Sequence, residues 1–124
     1  MVRANKSFCA SERILSPKDF ARVKREGRRV RARCLVAVVL TGGPRRLGVV
    51  VSRRVGNAVQ RNRLKRISRE FFRKNKTGLP RGDLVLIFSP GAAKMENVEI
   101  RKAIRSATER LGNHSAQAIG RRFE

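Results

Sequence analysis

A cluster of basic residues between positions 57 and 73 carries the clearest chemistry in this sequence. On a helix, with about 100° between successive residues, its cations share one arc and its apolar residues share the opposite arc. The cations are Arg61, Lys65, Arg66, Arg69 and Arg73. Glu70 is the only acid in the segment, so the cations repel one another unless a polyanion neutralises them. The pattern predicts phosphate binding, although a charged face that merely meets solvent gives a similar pattern.

Local signals predict that this basic segment is helical. Asn57 is of a type that caps the first free N–H groups of a helix, and Gln60 occupies the reciprocal capping position three residues on. Gly56 lets the chain turn into the helix. The apolar arc, which we expect to pack on a core, holds Leu64, Ile67 and Phe71. Phe72 falls among the cations, where it either stacks on a base or closes the edge of the core.

The composition indicates one small domain with an anionic macromolecular partner. The chain has 124 residues, with 31 Lys and Arg residues against 9 Asp and Glu and a formal charge of +22. Such a charge opposes compaction unless a polyanion compensates it, which favours nucleic acid as the partner. A membrane partner is disfavoured, because the longest apolar stretch, residues 34–40, is far shorter than the roughly 18 residues of a spanning helix.

The sequence lacks the residue groups that catalysis by the protein itself would need. Cleavage of a phosphodiester bond calls for clustered carboxylates that hold metal ions or for a histidine pair, but the acids are scattered and His114 is the single histidine. Cys9 and Cys34 do not have the spacing of metal ligands. We expect both cysteines to be reduced, which fits a cytoplasmic protein. The prediction is no catalytic residue, and no metal or cofactor bound by the protein alone.

The remaining segments predict helices and strands around the basic helix. Ser16 and Pro17 start a first helix, which ends before Gly27 and turns Phe20 and Val23 inward.

From Arg29 onward the pattern is typical of strands. Apolar strands at residues 34–40 and 47–51 are predicted to form a hairpin, and another strand spans residues 83–88. A last helix near residues 96–111 stops at the glycine that follows it, Gly112.

These elements predict a single α+β domain in which helices pack on one sheet. We expect the domain to span residues 13–112. A flexible basic arm over residues 1–12 and a flexible tail over residues 113–124 would flank it.

Residues 47–66 resemble the signature of the bacterial ribonuclease P protein subunit. The segment reads LGVVVSRRVGNAVQRNRLKR, and Arg61-Asn62-Arg63 corresponds to the RNR motif of that family. The strand at residues 83–88, which leads into Ser89-Pro90-Gly91, also agrees with the family pattern. The resemblance covers roughly residues 12–112.

The resemblance implies a fold and a function. The fold is a four-stranded sheet with helices packed on it, in the order α-β-β-β-α-β-α. It contains a left-handed β-α-β crossover and is similar to the second domain of ribosomal protein S5. The function is that of a protein subunit that assists a catalytic RNA in removing the 5′ leader of precursor tRNA. The protein binds the RNA one to one, and the holoenzyme requires Mg²⁺ through its RNA.

The resemblance also implies two RNA-binding surfaces. The surface that faces the catalytic RNA consists of Arg53, Arg54, Asn57, Gln60, Arg61, Asn62, Arg63, Lys65, Arg66 and Arg69. The cleft for the single-stranded leader consists of Phe20, Lys24, Val49, Val51 and Ser52. Family members commonly place further aromatic residues in this cleft, whereas here Lys24 stands four residues after Phe20. Since stacking contributes about 1–3 kcal/mol per base, we expect this cleft to hold the leader more by charge than by stacking.

Three other functions compete with this one. A ribosomal or ribosome-assembly protein would share the high charge and the basic arms. A helix-turn-helix DNA-binding module needs two adjacent helices, whereas strands flank the basic helix here. An autonomous nuclease is disfavoured by the missing carboxylate and histidine cluster.

Overall fold

The computed structural model describes residues 13–14 and 16–122, with the side chains of residue 77 and residues 113–122 left aside. Its elements follow the predicted order α-β-β-β-α-β-α. They are α1 (Pro17–Glu26), β1 (Arg28–Ala32), β2 (Leu35–Thr41), β3 (Arg46–Val51), α2 (Ala58–Lys74), β4 (Gly82–Phe88) and α3 (Asn97–Arg122). Short 3₁₀ helices at Lys76–Gly78 and Pro90–Lys94 flank β4.

The four strands form one sheet in the order β1-β2-β4-β3. β1, β2 and β4 pair antiparallel in succession, while β3 runs parallel to β4. The predicted hairpin between the second and third strands is therefore wrong, because β4 lies between them. β4 is buried along almost its whole length, which suits a central strand, and β3 becomes an edge strand. α2 connects β3 to β4, and the left-handed sense of this crossover stays a prediction.

Each face of the sheet carries its own helical layer and core. Side chains alternate along β2 and β4, so that Leu35, Ala37 and Leu86 face one side while Val38 and Val85 face the other. α2 and α3 pack on the first side through Leu64, Ile67, Phe71, Phe72, Ile100, Ile104 and Leu111. α1 packs on the second side through Val23 and Phe20. The three helices are thus fixed by apolar burial on opposite faces.

The predicted helix starts are confirmed. The Ser16 hydroxyl accepts the N–H of Lys18 at 3.1 Å, with Pro17 at the first helical position. At α2, Asn57 Oδ1 accepts the N–H of Gln60 and Gln60 Oε1 accepts the N–H of Asn57, each at 3.0 Å. This reciprocal capping box fixes where α2 begins. α1 ends at Glu26, as predicted, and the Gly27 N–H donates to the Val23 carbonyl at 2.8 Å.

The predicted stop of the last helix at Gly112 is wrong, since α3 continues to Arg122. A single glycine inside a helix costs only about 1 kcal/mol relative to alanine, and helix-forming residues such as Ala116, Gln117 and Ala118 follow it. The flexible tail over residues 113–124 stays a prediction, and the flexible arm over residues 1–12 lies outside the described residues. Within the described part of the chain, no helix is long and apolar enough to cross a membrane.

Cys34 packs as the small hydrophobic residue that its place beside an apolar strand suggests. Its side chain is buried in the core beneath α2 and α3, and the thiol is free. Desolvation by this burial raises the pKa of the Cys34 thiol. Cys9, the other cysteine, lies outside the described residues.

Candidate RNA interface

α2 separates a wide buried face from an exposed basic face. Leu64, Ile67 and Phe71 are buried as predicted, and Ser68 and Phe72 are buried with them. Because α2 contacts both the sheet and α3, its buried arc is wider than one apolar stripe. Phe72 is 1% exposed, which decides between its two predicted roles in favour of the core and removes it from base stacking.

The exposed side of α2 carries the predicted basic residues to different degrees. Asn62, Arg66 and Arg69 are exposed, whereas Gln60, Arg61, Arg63 and Lys65 are partly buried. Arg53 and Arg54 are exposed in the turn that joins β3 to α2. The residues predicted to face the catalytic RNA thus lie on this turn and along one helix.

Several members of this set already have partners within the protein. Arg63 Nη1 donates to Asn97 Oδ1 at 2.6 Å, and Arg63 Nη2 donates to the Ala93 carbonyl at 3.2 Å. Arg61 Nε donates to the Gly56 carbonyl at 3.2 Å. The Asn57 and Gln60 side chains close the capping box. These contacts position α2 and its preceding turn. Exposed polar groups outside these contacts belong to Arg53, Arg54, Asn62, Arg66 and Arg69.

A groove of about 500 Å³ runs along the edge strand β3 between α1 and α2. A second concavity of about 210 Å³ adjoins it and shares three of its lining residues, Phe20, Val49 and Lys65. We call the two together the β3-edge groove. Four of the five residues predicted for the leader cleft line it, namely Phe20, Lys24, Val49 and Val51. Ser52 is exposed at the end of β3 and is not among the lining residues.

The groove also contains cations that the sequence pattern assigned elsewhere or missed. Lys65 and Arg69 reach it from α2, although both were predicted only for the surface that faces the catalytic RNA. Arg13 lines it next to Ile14, whose N–H donates to the Leu47 carbonyl at 3.1 Å. In the sequence, only the spacing of Lys65 and Arg69, one helical turn apart, indicates that both could line the same groove.

Gly48 allows the Phe20 ring to lie directly against β3. A Cβ atom at Gly48 would come within 2.5 Å of Phe20 Cε1 and 2.8 Å of Phe20 Cζ, which is closer than atoms in contact can approach. The ring is half-buried, and it both packs on the α1-side core and lines the groove. Its two predicted roles, core residue and binding surface, are therefore compatible.

An ion-pair network fixes the helix and strands around the groove. Arg46 on β3 donates from Nε and Nη2 to the two carboxylate oxygens of Asp83 on β4, at 2.8 and 2.7 Å. Arg46 Nη1 lies 3.5 Å from Asp19 Oδ2 on α1. The hydrogen bond to Asp83 is the main cause that raises the pKa of Arg46 above its ordinary value. The network joins α1, β3 and β4. It also pairs Asp19 and Asp83, two acids that could otherwise bind a metal ion, with Arg46.

Comparisons with known proteins agree with this geometry. The family model described as Ribonuclease P matches residues 8–112. The ribonuclease P protein component of Syntrophobacter fumaroxidans is 42% identical over 107 residues, which are 83% of this chain and 90% of that protein. The RNase P protein structure from Staphylococcus aureus aligns with a TM-score of 0.75 at 31% identity, over 79% of this chain and 93% of that one. The structure from Thermotoga maritima aligns with a TM-score of 0.72 at 32% identity, over 80% and 96% of the two chains.

Proposed function

Because the chain belongs to the ribonuclease P protein family, we propose that α2 binds the catalytic RNA of ribonuclease P and that the β3-edge groove binds the 5′ leader of precursor tRNA. The RNA subunit performs the endonucleolytic cleavage that gives the mature 5′ end of tRNA. The protein assists by binding both RNAs, and none of its residues acts as a catalytic residue.

The observation that carries the proposal is the position of Lys65. It belongs to the basic side of α2 and also lines the groove, together with Phe20 and Val49. A leader strand in the groove would therefore lie directly beside an RNA on α2. Two adjacent surfaces with one shared wall suit a protein that holds the end of a substrate next to a catalytic RNA.

The groove suits a single strand whose bases and phosphates meet different walls. Phe20, Val49 and Val51 offer apolar contacts to bases, while Lys24, Lys65 and Arg69 neutralise phosphates. Among the described residues that line the groove, Phe20 is the only aromatic one. Charge should therefore contribute more than stacking, and leader affinity should fall steeply with salt.

The metal requirement belongs to the RNA in this proposal. Mg²⁺ prefers oxygen ligands from carboxylates and phosphates, and Asp19 and Asp83 both contact Arg46 instead. Over the described residues, no group of three or more His, Cys, Asp or Glu side chains is placed to hold a metal ion. When bound to the RNA, Mg²⁺ would supply the activation of the attacking water and the stabilisation of charge on the leaving oxygen. One protein per RNA and a cytoplasmic location remain part of the proposal.

The test is 5′ leader cleavage of a precursor tRNA at low Mg²⁺, with RNA subunit alone, protein alone, and the two combined. We expect cleavage to require the RNA and to rise with wild-type protein. Arg66→Gln/Arg69→Gln should reduce the stimulation, because these are exposed cations of α2. The control Lys18→Gln/Arg81→Gln, which removes two exposed charges outside both surfaces, should stimulate like the wild type.

Two outcomes would contradict the proposal. A folded protein that gives no stimulation would favour a ribosomal or ribosome-assembly protein. Cleavage by the protein alone, after treatment that destroys any bound RNA, would indicate an autonomous nuclease.

A further inference from the structure

A second basic concavity lies at the other edge of the sheet, between the β1–β2 turn and α3. It has a volume of about 300 Å³, and its polar lining comes from Arg31, Arg33, Lys102, Ser106 and Arg110. All five side chains are exposed, and none of the described residues that line this concavity is acidic. β2 and β4 separate this edge from β3, a span of about 14 Å at the usual distance between strands. The concavity is therefore distinct from the β3-edge groove.

Arg33 occupies a turn position that does not suit its residue type. β1 and β2 are joined by a two-residue turn, with Ala32 paired to Leu35, and Arg33 has a φ of +35°. Glycine, asparagine or aspartate normally takes such a position, because a positive φ is unfavourable for other L-residues. The exposed arginine side chain gains no core packing in return. A residue that contradicts its local backbone in this way points to a function.

The surrounding structure holds the turn in place. The Cys34 carbonyl accepts hydrogen bonds from the Ser89 N–H at 2.8 Å and the Ser89 hydroxyl at 2.9 Å. These bonds tie the turn to the end of β4. Arg33 is consequently presented on a fixed backbone.

α3 supplies the opposite wall. Lys102, Ser106 and Arg110 are spaced four residues apart, so they lie along one face of the helix. Arg110 Nη1 donates to the Arg31 carbonyl at 2.9 Å, which joins α3 to β1. Glu99, an acid one turn before Lys102, accepts the N–H of Glu96 at 3.1 Å at the start of the helix. Glu99 thus forms a hydrogen bond at the helix start, and it is not among the residues that line the concavity.

We propose that this concavity is a second phosphate site, which binds the sugar-phosphate backbone of the catalytic RNA at a segment other than the one held by α2. The choice of RNA rests on the proposed function above. Guanidinium groups match phosphate oxygens with paired hydrogen bonds, and Ser106 adds a neutral donor. Within the part of the chain that the structure describes, the lining contains no aromatic residue, and its apolar members are Ala32 and Ala103. The site therefore recognises backbone and not bases.

The test compares Arg33→Gly/Lys102→Gln with the control Lys18→Gln/Arg81→Gln, which removes the same two charges elsewhere. The affinity of each for the RNA subunit of a bacterial ribonuclease P is measured between 50 and 200 mM salt. Loss of two phosphate contacts should make the slope of log K against log salt shallower by about 1.4–1.8, so that between 50 and 200 mM salt the affinity of the variant falls about seven- to twelvefold less than that of the wild type. The control should keep the wild-type slope.

The single variant Arg33→Gly tests whether loss of folding, and not loss of a phosphate contact, causes the change in slope. Glycine accepts the positive φ without strain, so the melting temperature should stay the same or rise while the salt slope becomes shallower by about 0.7–0.9. Equal slopes for the double variant and its control would overturn the second site. A wild-type protein that binds the RNA but stimulates no cleavage would overturn the proposed function, and the slopes would still decide the second site.

Discussion

The two edges of the sheet, which we propose both bind RNA, present different surfaces. At the β3 edge, an apolar wall of Phe20, Val49 and Val51 lies between cations from α1 and α2. At the β1 edge, the concavity has basic side chains and a hydroxyl around two alanines. The first surface can contact both bases and phosphates, whereas the second can contact only phosphates.

The difference follows from how each edge is built. α2 contacts β3 on one side, while α1 packs on β2 and β4 and brings Phe20 against Gly48 of β3, so that the β3 edge becomes the bottom of a groove. β1 is contacted mainly by α3, and an exposed arginine, Arg33, occupies the turn after it. A groove that holds a flexible strand needs supporting contacts on both walls, whereas a backbone site needs only cations on a fixed frame. If the two edges are independent, a change at one edge should leave RNA binding at the other intact.

Arg46→Ala should have the largest effect, and only the β3 edge should lose its function. The change leaves Asp83, which is 9% exposed, without its two hydrogen bonds and releases the contact to Asp19. Loss of these charged hydrogen bonds should lower the free energy of unfolding by about 2–3 kcal/mol, measured by urea denaturation. Preference for precursor over mature tRNA should fall, while the salt slope for the catalytic RNA should not. A variant as stable as wild type would contradict the role given to this network.

Gly48→Ala should damage the groove by a smaller amount. The new methyl group has to displace the Phe20 ring, because the space is already filled, and overpacking of this kind costs about 1–3 kcal/mol. Leader affinity should fall with it. Gly91→Ala is the matched control, since a Cβ there meets nothing within 4 Å. If both variants bind the leader like the wild type, the ring does not form the wall of the groove.

Arg63→Ala tests the link between the helices of the two edges. Its guanidinium joins α2, which contacts β3, to Asn97 at the start of α3, which contacts β1. We expect a loss of about 1 kcal/mol in unfolding free energy from these partly exposed bonds. Arg66→Ala, by contrast, should leave stability unchanged and weaken binding to the catalytic RNA. The reverse result would show that Arg63 acts mainly through RNA contact.

The sequence predicted the features that depend on neighbouring residues. The capping box of Asn57 and Gln60, the start at Ser16 and Pro17, and the order of elements are all local patterns. Strand pairing is not local: β2 contacts β4, more than 40 residues away, in preference to β3. Apolar periodicity identifies both strands without saying which one occupies the centre, and this is why the predicted hairpin is wrong.

The candidate site, like the fold, could be predicted only where its residues are neighbours along one helix or strand. Four of the five residues predicted for the leader cleft come together because α1 and β3 each present a continuous face. Contacts such as that of Arg63 with Asn97, 34 residues apart, depend on how helices pack, and no sequence motif indicates them. The burial of Phe72 likewise depends on how α2 packs against the sheet and α3. An RNR motif therefore indicates a surface but does not separate its supporting arginines from its accessible ones.

The smallest expected effect separates charge from stacking within the groove. Lys24→Ala removes one cation that lines the groove, so the salt slope of leader affinity should become shallower by about 0.7, the value for one phosphate contact on a single strand. Phe20→Ala should weaken binding at every salt concentration by a similar factor and leave the slope unchanged, because stacking and apolar contact do not release counterions. The opposite result would be an unchanged slope for Lys24→Ala together with complete loss of binding for Phe20→Ala. This groove would then hold the leader through the Phe20 ring, and the two edges would differ more in their apolar contacts than in their charge.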